Sequence, residues 1–178
     1  MKKAVPHILL LLLARLALGI DLPPAPDGFS WQQVPELKAA FLKPTGWFFK
    51  SEARDGTLAY FITKEDIDKN GEFQTGLTIN VFHPKESAVE HARSFIDDLA
   101  TKRHGEKWAK DVGPFRQFGC LSKDTDASGT VMTHTLMMAN PKTNTLYLFI
   151  FESPESEWKV AWKTGVRIMN SLAVDDEI

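Results

Sequence analysis

Cysteine is nearly missing: there is one, Cys120, in 178 residues. A single thiol closes no disulfide within a chain, so stability has to come from packing. Also missing are a His-Glu-x-x-His helix, paired cysteines, a Gly-x-Ser-x-Gly elbow, a Gly-x-Gly-x-x-Gly turn and a Gly-Lys-Ser/Thr phosphate loop. With them go the common sequence routes to zinc hydrolysis, serine-nucleophile chemistry and nucleotide binding. Carboxylate pairs are adjacent, as in Asp97-Asp98 and Asp175-Asp176. Helical neighbours point about 100° apart, so this spacing makes no acid/base couple. Basic runs are scarce as well. Lys102-Arg103-His104, with Lys107 and Lys110, is interleaved with Glu106 and Asp111 and reads as a solvated helix end. No catalytic, cofactor or metal residue is assigned, no cofactor is expected, and nucleic acid is not an expected partner.

Long apolar runs are confined to the start. Lys2 and Lys3 precede Ile8–Leu18, which is apolar except for Arg15, and Ala17-Leu18-Gly19 has the pattern of a cleavage site. Residues 1–19 therefore read as a signal peptide, too short and too charged for a comfortable span of roughly 20 apolar residues. A retained anchor is the alternative. The expected location is outside the cytoplasm, periplasmic or secreted, with no membrane span after signal removal. Losing Lys2, Lys3 and Arg15 leaves 18 basic against 23 acidic side chains, a net charge of −5. Such a surface repels nucleic acid and anionic membranes unless its positive charges cluster.

What is present is core material: 43% apolar and 11% aromatic residues, enough for one domain. Residues 20–29, with three prolines and a glycine, read as a leader, residues 30–173 as the domain, and residues 174–178 as a solvated acidic tail. Strands are expected at 38–43, 47–53, 57–65, 75–82, 115–123, 130–140 and 145–152. Pro44 and Gly46 form a turn that reverses the first strand into the second, and Asp55-Gly56 a tight hairpin into the third. Residues 66–74 form a polar loop turning at Asn70-Gly71, and residues 106–113 a connection. The last strand, TLYLFIFE, is apolar on both faces and belongs at the centre of a sheet.

Two helices complete the reading. Ser87 and Glu90 have capping-box spacing ahead of a stripe of Val89, Ala92, Phe95, Ile96 and Leu99, with Gly105 as stop. Ser153 as N-cap and Pro154 at the first position open the second. Its stripe is Trp158, Ala161, Trp162, Gly165, Val166, Met169 and Leu172, and Gly165 implies close approach to the sheet. The fold class is α+β, an antiparallel sheet of about six or seven strands with a helix for each face.

AFLKPTGWFF, a strand, Pro-x-Gly-Trp turn and strand, resembles the opening of the Mog1/PsbP-like family. The later strand-helix-strand order and a closing helix running into Asn170-Ser171-Leu172 extend the resemblance over residues 30–173. It implies an α/β/α sandwich around an antiparallel sheet, non-enzymatic and acting by docking to a larger protein or complex. The metal-binding His and Asp positions of some plant members have no clear match here.

The resulting expectation is an exported, non-catalytic binding or accessory protein that docks to a protein or envelope complex. Trp108, in the polar stretch EKWAKD, looks misplaced for a core and is the candidate partner-binding residue. The alternative is a small-molecule carrier or enzyme using a pocket between sheet and helix, with His134 and Cys120 as its reactive pair. Cys120 also fits an inert buried thiol, and His134 a satisfied polar residue at a sheet edge or beneath a helix. His83 and His91 lack metal-ligand spacing, while His91, Asp98 and His104 make only a weak metal set.

Overall fold

The computed structural model describes residues 22–54, 57–83, 91–127 and 129–174. The stretch 1–19 read as a signal peptide, the Asp55-Gly56 turn, the Ser87-Glu90 capping box and the last four residues lie outside that range.

Seven antiparallel strands form the main sheet: β3 (Phe48–Arg54), β4 (Thr57–Thr63), β5 (Gly76–Phe82), β6 (Lys107–Val112), β7 (Phe115–Asp126), β8 (Gly129–Asn140) and β9 (Thr145–Pro154). Their spatial order is β3-β4-β5-β9-β8-β7-β6. The doubly apolar strand β9 occupies the middle place, where the sequence puts it. A second sheet has three short strands, β1 (Phe29–Val34), β2 (Ala39–Pro44) and β10 (Ala173–Val174), in the order β1-β2-β10.

The small sheet corrects several sequence expectations. Phe29 already belongs to β1, inside the stretch read as leader, and Val174 pairs with Ala39 rather than starting a solvated tail. The strand at 38–43 does not pair with the one at 47–53. The Trp47 N–H closes a turn on the Pro44 carbonyl at 3.1 Å, with Gly46 at φ 81°, and this turn transfers the chain from the small sheet to the large one. Turn chemistry is the same for a hairpin and a crossover, so Pro44 and Gly46 alone do not decide between them.

Helix α1 (Ile67–Asn70) is a single turn inside the expected 66–74 loop, capped by the Asp66 side chain and ended by Gly71. Helix α2 (Ala92–Lys102) packs on β6, β7 and β8, and α3 (Glu155–Ser171) packs on β2, β8 and β9. The first described turn of α2 is capped from a distance, as the Ala92 N–H donates to Asn144 Oδ1 at 2.8 Å. Helix α3 starts one residue later than expected. Ser153 is the penultimate residue of β9, its hydroxyl turned to the Pro154 carbonyl, and Pro154 is the N-cap.

The two faces of the main sheet are covered unequally. The first carries α3 and the small sheet over Tyr60, Ile62, Leu77, Ile79, Leu136, Met138, Phe149 and Phe151, all buried. A Cβ on Gly165 would lie 2.8 Å from the Phe151 ring, so only glycine lets α3 come this close. Ser171 ties the helix end to the small sheet, its hydroxyl accepting from the Leu42 N–H at 2.8 Å. On the second face α2 covers a smaller cluster, Phe118, Cys120, Ala139 and Leu146 beneath Ala92 and Ile96.

Candidate functional site

Register decides which chemistry-bearing side chains can meet, because cross-strand partners share a face and successive residues alternate. His134 is opposite Leu121 on one side and Phe151 on the other, which places it on the first face. Cys120 is opposite Thr135, on the second face, buried among Ala92, Ile96 and Phe118. A seven-stranded sheet therefore separates the two groups read as a reactive pair. Sequence spacing across a hairpin carries no information on this; register does.

His134 lies beneath α3. Its ring sits 4.5 Å from the Trp162 ring, and Trp162 stacks on Trp158 at 5.2 Å and 8°. Its Nδ1 is buried without a hydrogen-bond partner among the described residues. Burial among aromatics penalises the imidazolium and pushes the pKa down to about 4. At neutral pH the residue is an uncharged packing element under the helix.

Trp108 is not in a connection. It lies in edge strand β6 opposite Gly119, and a Cβ on Gly119 would fall inside the indole. The ring is half-buried against the first-face core, with Lys110 Nζ 4.9 Å from its centroid. EKWAKD reads as loop because its alternate residues are charged or small, the usual look of an exposed edge strand. The missed signal is the pair Trp108 and Gly119, large against absent, on adjacent strands.

Among the described residues no group of three or more His, Cys, Asp or Glu side chains is placed to hold a metal ion, and no helix is long and apolar enough to cross a membrane.

The sheet's second face is the one left partly open to solvent. Beyond the reach of α2, half-exposed residues line successive cross-strand rows: Phe61, Thr78, Ile150 and Thr135 in one, Ala59, Asn80 and Leu148 in the next. Phe48, 40% exposed on β3, and Phe95, 42% exposed on the flank of α2, stand at the margins. Phe73 lies over Gly76 and meets Phe61 edge-on at 6.4 Å. Opposite Gly76 is Glu152, half-buried, its pKa raised by burial alone. It has no ion-pair or hydrogen-bond partner among the described residues. The other charges at this margin are matched, Lys50 Nζ lying 3.0 Å from Glu52 and 2.9 Å from Asp68. Sequence alternation identifies Glu152 as facing away from Phe149 and Phe151, but not that its face stays open.

Solved structures similar to this chain include cyanobacterial PsbP from Synechocystis sp. PCC 6803, at 14% identity and TM-score 0.42, covering 88% of this chain and 98% of that one. The Ran-binding protein Mog1p of Saccharomyces cerevisiae matches at 11% identity and TM-score 0.45, covering 84% and 97%. A protein from Bacteroides thetaiotaomicron VPI-5482 matches at 11% identity and TM-score 0.49, over 76% of this chain, which spans only 44% of that one. No protein-family model and no curated protein sequence matches.

Proposed function

We propose that the protein is an exported, non-catalytic accessory module that docks a protein partner, alone or within an envelope complex, on the open part of its sheet's second face. Export rests on residues 1–19. Docking rests chiefly on the central strand β9. Tyr147, Phe149 and Phe151 of that strand are sealed on the first face, while Leu148 and Ile150 on the second stay half-exposed to solvent. An apolar strip at the middle of a sheet, rimmed by Phe48 and Phe95, is the usual mark of a surface completed by something else. A second contact is proposed at edge strand β6, where part of the Trp108 indole and Lys110 remain accessible.

An enzyme built on Cys120 and His134 is disfavoured by their opposite faces. The docking reading is tested by capture of partners on tagged protein carrying Thr78→Arg, which obstructs the strip without entering the core. Val160→Arg on the outer side of α3, where Val160 is 72% exposed, is the control. Loss of a stoichiometric partner with Thr78→Arg and retention with Val160→Arg is expected; equal capture by both variants contradicts the reading.

A further inference from the structure

We infer that Glu152 is the specificity point of this face, and that the partner is a protein segment inserting an Arg or Lys side chain beside it from among apolar residues. This rests on the docking reading and adds the chemistry of the occupant.

Glu152 sits in the row Phe48, Thr63, Gly76, Glu152, Thr133 across β3, β4, β5, β9 and β8. Thr63 and Gly76 are buried there, with the Phe73 ring 3.0 Å from the position a Gly76 Cβ would take. The carboxylate thus stands beside an aromatic wall and is partly withdrawn from water. Burying a charge costs free energy unless it is paired, and several other charges of this chain have partners. Lys64 meets Glu157 at 2.9 Å, Lys123 meets Glu155 at 2.7 Å, and Arg116 meets Asp97 at 2.7 Å. Glu152 alone among these acids has its surroundings reduced to burial. Glutamine would fill the same space without a charge, so within the isolated chain the carboxylate is a liability.

Charge complementarity settles the kind of occupant. A guanidinium or ammonium brought against Glu152 would gain a charge-assisted hydrogen bond in a site that the partner's own apolar residues close to water. Arginine adds a flat face suited to Phe73 and Phe61. Anionic lipid and nucleic acid would bring like charge against this carboxylate, which disfavours them.

The test uses the protein with synthetic peptides of alternating apolar and polar residues, identical except for one central Arg, Lys, Gln or Glu, and reads affinity by fluorescence anisotropy. Arg and Lys peptides are expected to bind about tenfold more tightly than Gln and Glu peptides, a margin typical of one desolvated charge pair. Glu152→Gln should abolish that preference, and Glu152→Lys should invert it toward Glu. The Gln variant removes an unfavourable charge, so loss of folding is not a competing explanation. Arg preference that survives Glu152→Gln overturns the assignment of Glu152, and so does equal binding of all four peptides. If such binding is still abolished by Thr78→Arg, the docking face itself stands. Absence of binding by every peptide overturns both. Self-association lost with Glu152→Gln would replace the proposed partner with a second copy of this chain and overturn the proposal in that form.

Discussion

The Trp108 indole occupies the space above Gly119 that any other residue would fill with its Cβ. Edge strand β6 is held to the sheet by this interlock as well as by its hydrogen bonds. Gly119→Ala is expected to destabilise the protein by about 2 kcal/mol through overpacking. In a Trp108→Ala background the same change should cost much less, because the clash is gone. Urea unfolding of the four combinations gives the coupling directly, and additive effects would refute the interlock.

Stability should fall on mild acidification through His134. Its folded pKa of about 4 lies below the ordinary 6.5, so between those values the unfolded chain binds the extra proton. The stability is therefore complete above pH 6.5 and is lost as pH falls toward 4, by roughly 3 kcal/mol in full. Glu152, shifted upward, acts in the opposite sense, so the effect is read as a difference between variants. His134→Phe, which keeps the stack on Trp162, should lose less of its urea midpoint than wild type between pH 7.5 and 4.5. Parallel losses would place the imidazole in water.

For Glu152 the sign reverses. A carboxyl held above its ordinary pKa favours folding when protonated, and that contribution disappears as pH rises through the folded value. Glu152→Gln is expected to raise the melting temperature at pH 7 and to make little difference near pH 4. A variant less stable than wild type at pH 7 would mean that the carboxylate is paired in the free protein.

Asn144 has two separable duties. Its φ of 59° suits the turn between β8 and β9, and its side chain caps α2. Asn144→Gly keeps the backbone conformation and removes the cap, at an expected cost of about 1 kcal/mol. Asn144→Ala should cost more, since it also strains the turn. Equal losses would show that the backbone preference is unimportant; faster amide exchange at Ala92 in both variants reports the missing cap.

These residues show where sequence reading reaches and where it stops. The seven main strands' central member, the two amphipathic helices and the reason for Gly165 follow from local periodicity and glycine chemistry. β1 and β10 do not, because FSWQQV carries weak alternation and Ala173-Val174 is two residues long; each becomes a strand only by pairing with β2. β6 is hidden by its charged alternate positions. The candidate face is least legible of all. Glu152, Thr135 and Thr78 look like ordinary outward residues of three strands, and their adjacency exists only through the β5-β9-β8 pairing. In the same way the separation of Cys120 from His134 depends on register, which no local pattern encodes.

The most direct test places a photo-crosslinking amino acid at position 48, 95 or 160 of the full chain, one at a time, in cells that make the protein. The same discrete protein adduct is expected from positions 48 and 95, at the two margins of the open face, and none from position 160. Adducts that are absent from 48 and 95, or equally strong from 160, would contradict the docking reading.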